Sequence, residues 1–299
     1  MKVLIIGSSG LVGSALVSFL NSKGNEVIRG VRDPNVIEPD AIYWDPNQGE
    51  YDLDVLEGFD AVINLAGENI ASGRWNGEKK KKIKDSRVLG TQILSQCLSR
   101  LKNPPKVLIN ASAVGYYGNR ADTVVTEETP PGTGFLSEVC QEWESATEKA
   151  KENGVRVVCM RFGIVLSQQG GLLAQLLPVF KCGLGGVVGS GRQYMSVVAI
   201  DDLVKMIHFV MEKEEIEGAV NAVCEEAVTN RQFTKTLGAV LSRPTLFPLP
   251  AFAARLIFGT EKADELLLTS QYVEPTVLQR HGYTFQYPRL KQILEYLLG

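Results

Sequence analysis

The stretch Met1-Lys2-Val3-Leu4-Ile5-Ile6-Gly7-Ser8-Ser9-Gly10-Leu11-Val12-Gly13 decides the fold. Val3 to Ile6 is a short, unbroken apolar run rich in branched side chains, the pattern of a strand buried on both faces. Gly7 ends it. From Leu11 the period changes: Leu16, Val17 and Leu20 fall on one side of a helix, and Gly24 closes that helix. A strand, a glycine turn and a helix within two dozen residues form the first half of a βαβ unit.

The pattern repeats along the first half of the chain. Strands are expected at Val27 to Val31, Ala41 to Trp44, Asp60 to Gly67, Val107 to Ala111 and Val155 to Arg161. Helices are expected from about Glu78 to Leu101 and from Trp143 to Asn153. Such alternation predicts an α/β fold, a doubly wound parallel sheet of the Rossmann type. After Leu166 the composition changes. Residues 167–196 are rich in glycine, including Gly183, Gly185, Gly186, Gly189 and Gly191. Asp201-Asp202 opens a helix through Met211, and Gly218 to Cys224 reads as a returning strand. From Thr229 the chain is mostly helical, broken at Pro244, Pro248, Pro250 and Pro275. The expected organisation is a nucleotide-binding domain over 1–166 with a return segment at 197–225. Residues 167–196 and 226–299 would form a smaller, mostly helical substrate domain.

Bulk properties exclude several classes. The 299 residues are 44% hydrophobic, enough for a sizeable core, and the net charge of −3 is not that of a nucleic-acid-binding surface. Five cysteines form no C-x-x-C pair, and the two histidines have no partner at metal spacing, so no metal site is expected. No apolar stretch approaches the ~20 residues of a membrane span. Free cysteines and the lack of an export signal point to a reducing cytoplasm.

The spacing Gly7-x-x-Gly10-x-x-Gly13 is weak alone and strong in its strand–turn–helix setting. Gly7 permits the tight turn, Gly10 lets backbone N–H groups approach a pyrophosphate, and Gly13 lets the helix pack on the strand. Ser9, Leu11 and Val12 complete this loop, and the helix N-terminus adds partial positive charge. The second strand ends in Arg32, placed to take a 2′-phosphate and so to select NADP(H). Asp33 follows it, and two roles are open there: a ribose 2′-hydroxyl partner, or the start of the Asp33-Pro34 turn.

Taken together, these residues resemble the extended short-chain dehydrogenase/reductase superfamily. Asn64-Leu65-Ala66-Gly67, Val88-x-Gly90-Thr91 and Ala111-Ser112-Ala113-Val114-Gly115-Tyr116-Tyr117-Gly118 carry the likeness. Finer features resemble an atypical, epimerase-like branch with its own C-terminal domain. They include Ala66-Gly67-Glu68-Asn69-Ile70, Ser86-Arg87-Val88, Gly183-Leu184-Gly185-Gly186, Asp201-Asp202-Leu203, and the tail from Leu266 to Pro288. The resemblance implies an NADP(H)-binding Rossmann fold whose cofactor contacts include Leu65, Ala66, Gly67, Glu68 and Arg161. Helices near 78–101 and 136–153 are where that superfamily often dimerises, which leaves a homodimer open without fixing the oligomeric state. The superfamily's Tyr-x-x-x-Lys pair is missing: Phe135 with Val139, or Leu136 with Cys140, stands in its place. Arg87 stands where an asparagine is usual.

The proton-transfer role therefore falls to other groups. Ser112, Tyr117 and Glu68 are the catalytic candidates, with Tyr116 beside them. Each has a plainer alternative: packing for the tyrosines, loop fixing for Glu68. Glu138 and Glu144 read as solvated or capping residues. Arg74 and Arg87 are open to an anionic substrate or a nearby carboxylate, and Lys79 to Lys82 reads as a solvated face. The segment 183–191, with Arg192 and Gln193, is either a mobile lid or a loop capping the sheet edge. Two functions follow. One is an NADP(H)-dependent oxidoreductase or epimerase-like enzyme of unknown substrate. The other is a non-catalytic NADP(H)-binding redox sensor or regulatory partner, a role the resemblance permits through relatives linked to division.

Overall fold

Within the first strand, alternate side chains go to opposite faces of the sheet. Val3 and Ile5 join one buried cluster with Leu16, Leu20 and Leu203. Leu4 and Ile6 join another with Leu94, Cys97 and Leu98. The sheet is therefore covered on both sides, as its unbroken apolar strands require. The structure, a computed structural model, describes residues 1–36, 38–46 and 52–299.

The central sheet has seven strands: β1 (Lys2–Ile6), β2 (Glu26–Val31), β3 (Ala41–Tyr43), β4 (Ala61–Asn64), β5 (Val107–Ala113), β6 (Arg156–Phe162) and β7 (Gly218–Ala222). Their order is β7-β6-β5-β4-β1-β2-β3, and every pairing is parallel. The order reverses between β1 and β4. Ligands of open α/β sheets bind at that switch point, outside the carboxyl ends of the strands.

Eleven helices are described: α1 (Leu11–Ser22), α2 (Gly77–Leu98), α3 (Phe135–Ser145), α4 (Glu148–Glu152), α5 (Gly171–Lys181), α6 (Ile200–Glu212), α7 (Asn230–Val240), α8 (Ala251–Phe258), α9 (Thr260–Leu266), α10 (Thr276–Arg280) and α11 (Leu290–Leu298). α1 and α6 cover one face of the sheet, and α2 and α4 cover the other. α5, α7 and α11 share a separate core around Leu177, Phe233 and Leu294.

One expected element differs. A single helix from Trp143 to Asn153 is replaced by α3 and α4, and α3 begins eight residues earlier at Phe135. The start is set from far away. Both Glu265 carboxylate oxygens accept the Phe135 and Leu136 N–H groups, each at 2.8 Å. The end is local: the Thr147 hydroxyl donates to the Glu144 carbonyl at 2.7 Å.

The glycine-rich segment 183–191 is tied down. Leu249 N–H donates to Val187 O at 2.9 Å, Gly189 N–H to Leu249 O at 2.8 Å, and Val188 N–H to Asn230 Oδ1 at 2.8 Å. Of the two alternatives, these bonds favour a connecting loop, braced by 245–249. Gly186 is needed there, because a Cβ would come within 1.9 Å of Phe247 O.

Candidate functional site

The site starts at the β1–α1 turn. Gly7 has φ +83°, and a Cβ on it would lie 2.8 Å from Ala66 N. A Cβ on Gly13 would lie 2.2 Å from Gly7 O. Neither position admits a side chain, so turn, helix and the Leu65-Ala66 backbone close on one another. Gly10 caps α1 with no side-chain hydrogen bond, and no acidic residue occupies its first turn. The leading N–H groups of α1 are left for an outside acceptor, which makes an anion site. Ser9 and Gly10 are exposed, and Leu11 and Val12 are partly so.

Arg32 follows β2. It is exposed and makes no hydrogen bond or ion pair among the described residues. Asp33 is committed elsewhere: its carboxylate accepts Asn35 N–H at 2.9 Å and closes an Asx turn. Of the two roles open to Asp33, the structure holds the turn.

At the end of β4, Asn64 is buried and donates to Thr91 Oγ1 at 2.8 Å and to Asn110 Oδ1 at 2.7 Å. Glu68 requires a correction. A general base there needs a pKa raised by burial, but Lys79 Nζ lies 2.5 Å from its carboxylate and holds the pKa below the usual carboxylate value. Glu68 N–H donates to Ser86 Oγ at 2.9 Å, so the residue fixes its loop. Lys262 of α9, 8% exposed, donates to the carbonyls of Ala71 at 2.5 Å and Gly73 at 2.7 Å and clamps the same loop. Arg74 reaches Leu256 O at 3.3 Å. Lys79 to Lys82 do not share one solvated face: Lys79 turns to Glu68, and Lys80 turns to Glu261 at 2.6 Å.

The β5–β6 end holds a buried polar network. Arg161 sits on β6 with 3% exposure. Its Nε and Nη2 donate to the two oxygens of Glu144, each at 2.8 Å, a bidentate pair. Its Nη1 donates to the Tyr117 hydroxyl at 2.9 Å. That hydroxyl donates in turn to Asn221 Oδ1 at 2.7 Å. Ser112 Oγ donates to Glu144 Oε1 at 2.6 Å. The Arg161 guanidinium lies 3.4 Å from the centre of the half-exposed Tyr116 ring.

These contacts bear on four expectations. Tyr117 is fully buried, and burial pushes its phenol up to about 12. It cannot meet a substrate where it stands. Ser112 is 2% exposed and serves Glu144. Arg161 donates to both Glu144 oxygens and to the Tyr117 hydroxyl. Glu144 is no solvated residue, because it neutralises Arg161. Sequence reading missed this network, although one signal was available. An arginine ending an apolar strand must find a carboxylate, and Glu144 lies on the helix before it.

The vacated acid–base position is apolar. Gly115 backs onto Leu136 and Cys140, whose atoms would lie 3.5 and 3.8 Å from a Cβ there. Burial pushes the Cys140 thiol up to about 11. Arg87 stands opposite, with Nη1 donating to Glu68 O at 2.9 Å and Ile83 O at 3.1 Å, and its guanidinium 5.1 Å from the Trp143 ring centre. Glu127 lies below the network. Its Oε1 accepts Asn221 and Val277 N–H, each at 3.1 Å, while its Oε2 is buried without a partner. No helix of the described residues is long and apolar enough to cross a membrane, and no His, Cys, Asp and Glu cluster among them could hold a metal.

Comparison with known proteins places this architecture. The chain is 44% identical over 294 residues to an epimerase family protein of Mycobacterium bovis, covering 98% of this chain and 96% of that protein. It matches the crystal structure of human epimerase family protein SDR39U1 (isoform 2) with NADPH at a TM-score of 0.90 and 32% identity, covering 99% of each chain. It matches a nucleoside-diphosphate sugar epimerase from Corynebacterium glutamicum at a TM-score of 0.82 and 35% identity, covering all of this chain and 58% of that one. Residues 249–297 match a domain of unknown function, DUF1731. Residues 3–222 match the NAD dependent epimerase/dehydratase family, and the chain belongs to that family.

Proposed function

We propose that this chain binds NADP(H) across the carboxyl edge of its sheet and works as an oxidoreductase or epimerase-like enzyme without a Tyr-x-x-x-Lys pair. One observation carries the reading: the uncapped N-terminus of α1, closed under Gly7 and Gly13, lies on the same edge as an exposed Arg32 that is unpaired among the described residues. Gly7, Ser9, Gly10, Leu11, Val12 and Gly13 would hold the pyrophosphate, and Arg32 the 2′-phosphate. Leu65, Ala66 and Gly67 would line the far wall. The human relative's crystal form with NADPH supports this choice of cofactor. When bound, the dinucleotide supplies hydride chemistry. The Corynebacterium relative's description supports a carbonyl or sugar-like substrate. In this reading Tyr116, a partly buried tyrosine just past β5, exchanges the proton.

A second reading, a non-catalytic NADP(H) sensor, draws on a specific observation. Glu68 is held ionised, and Cys140 and Tyr117 are pushed to about 11 and about 12, so these groups are not tuned for proton exchange near neutral pH. One experiment separates the two. NADPH is titrated by fluorescence, and its oxidation is then followed against nucleotide sugars and simple carbonyl compounds. The enzyme reading expects binding weakened about tenfold by Arg32→Ala. It also expects turnover that Tyr116→Phe removes without loss of binding. Binding with neither NADPH oxidation nor epimerisation of a nucleotide sugar across the panel, and different hydrogen exchange with NADPH and NADP+, would favour the sensor.

A further inference from the structure

The nicotinamide half of the cofactor also needs polar contacts, and the groups expected to supply them are engaged elsewhere. A dinucleotide held at α1 with its 2′-phosphate toward β2 lies across the switch point. Its other half therefore extends over the carboxyl ends of β4 and β5. Around those ends Glu68 is paired with Lys79, and Ser112 and Arg161 are paired with Glu144. The Tyr117 hydroxyl is buried between Arg161 and Asn221, and α3 offers only Leu136 and Cys140.

Arg87 is different. Its guanidinium lies flat against Gly67, where a Cβ would come within 2.9 Å of Cζ and 3.0 Å of Nη2. Gly67 stands three residues past β4, in the turn beside the switch point, and its lack of a side chain is what lets the guanidinium pack against that turn. Trp143 holds the other side of the group. Only Nη1 is used, and its partners are two backbone carbonyls. Among the described residues no carboxylate pairs with Arg87, and Nε and Nη2 make no hydrogen bond. Neither is sealed from solvent, since the one buried unpartnered side-chain atom of the described residues is Glu127 Oε2. A fixed fork of N–H donors at the crevice wall suits neighbouring oxygens of one ligand group.

We propose that Arg87 binds the nicotinamide half of the dinucleotide, donating from Nε and Nη2 to the hydroxyls of its ribose. Arg87 thus places from α2 the cation that α3 lacks. This inference rests on the cofactor reading above.

The test compares two ligands by calorimetry on wild type, Arg87→Met and Arg87→Gln. NADPH contains the nicotinamide ribose, whereas adenosine 2′,5′-bisphosphate ends before it. Both variants should bind NADPH about tenfold more weakly, the loss of one or two charge-assisted hydrogen bonds. Both should bind the bisphosphate as the wild type does. Arg87→Gln keeps a planar amide beside Trp143 and serves if the methionine variant does not fold. Unchanged NADPH affinity, or equal weakening of both ligands, overturns the proposal. A wild type that binds neither ligand would instead sink the cofactor reading, and this inference with it.

Discussion

The two ends of the sheet edge are built on opposite principles. At β1, α1 and the end of β2, the N–H groups at the start of α1 and the Arg32 side chain have no side-chain partner among the described residues. At β5, β6 and α3 they face one another. Arg161, Glu144, Ser112, Tyr117 and Asn221 form one closed network. The first end is made to receive charge from outside, while the second has already neutralised its own. Binding and chemistry are therefore separately encoded along one sheet edge. An intact dinucleotide loop says nothing about whether the neighbouring end can transfer a proton.

The sharpest way to break this comparison is to open the closed end. Glu144→Ala leaves the Arg161 guanidinium buried without its carboxylate, a loss that costs about 3–5 kcal/mol. Each kcal/mol lowers the melting temperature of a large domain by about 2–4 °C. Denaturant and thermal unfolding should record that loss, while the folded fraction keeps its NADPH affinity. Lost affinity with unchanged stability would mean that the network serves the cofactor directly.

At the open end the expected effects reverse. Gly13→Ala puts a Cβ 2.2 Å from Gly7 O, so the loop must move away from the phosphate position. NADPH affinity should fall by about 100-fold. The stability cost is that of overpacking, about 1–3 kcal/mol. Wild-type affinity in this variant, read by fluorescence titration, would show that the loop is not the phosphate site.

The smallest effect sharpens the closed end. Glu127 has a pKa raised by burial, against the backbone N–H groups of Asn221 and Val277, which lower it. The folded state thus holds this proton more tightly than the unfolded chain. Stability on this account is full below the unfolded carboxyl pKa and declines as pH rises through the raised value. Glu127→Gln keeps an acceptor for both N–H groups and removes that decline. Its melting temperature should exceed the wild type's at pH 8, with the gap closing toward pH 4. A gap that widened as pH fell would contradict the sign.

Legibility in the sequence followed distance along the chain. The β1–α1 turn could be read because the glycines that shape it lie within seven residues of one another. The Asp33 turn could be read because Asp33 and Asn35 are two apart. The closed network could not, since Tyr117 meets Asn221 across 104 positions and Ser112 meets Glu144 across 32. Hence Tyr117 and Ser112 read as catalytic by position, and only their partners showed them to be engaged. The same holds for α3, whose first turn is capped by Glu265, 130 residues away from Phe135.

The sequence by itself determined the doubly wound sheet, the phosphate-binding turn and the absence of a Tyr-x-x-x-Lys pair. Periodicity, glycine spacing and residue identity are local properties that the chain carries into any environment. Tertiary structure alone decided which polar side chains remain available. Burial and pairing made Tyr117, Ser112 and Arg161 parts of the core, bound Glu68 to Lys79, and left Arg87 Nε and Nη2 without a hydrogen bond among the described residues. A side chain's protonation and reach depend on its neighbours in space, and those neighbours are assembled only when distant segments fold together.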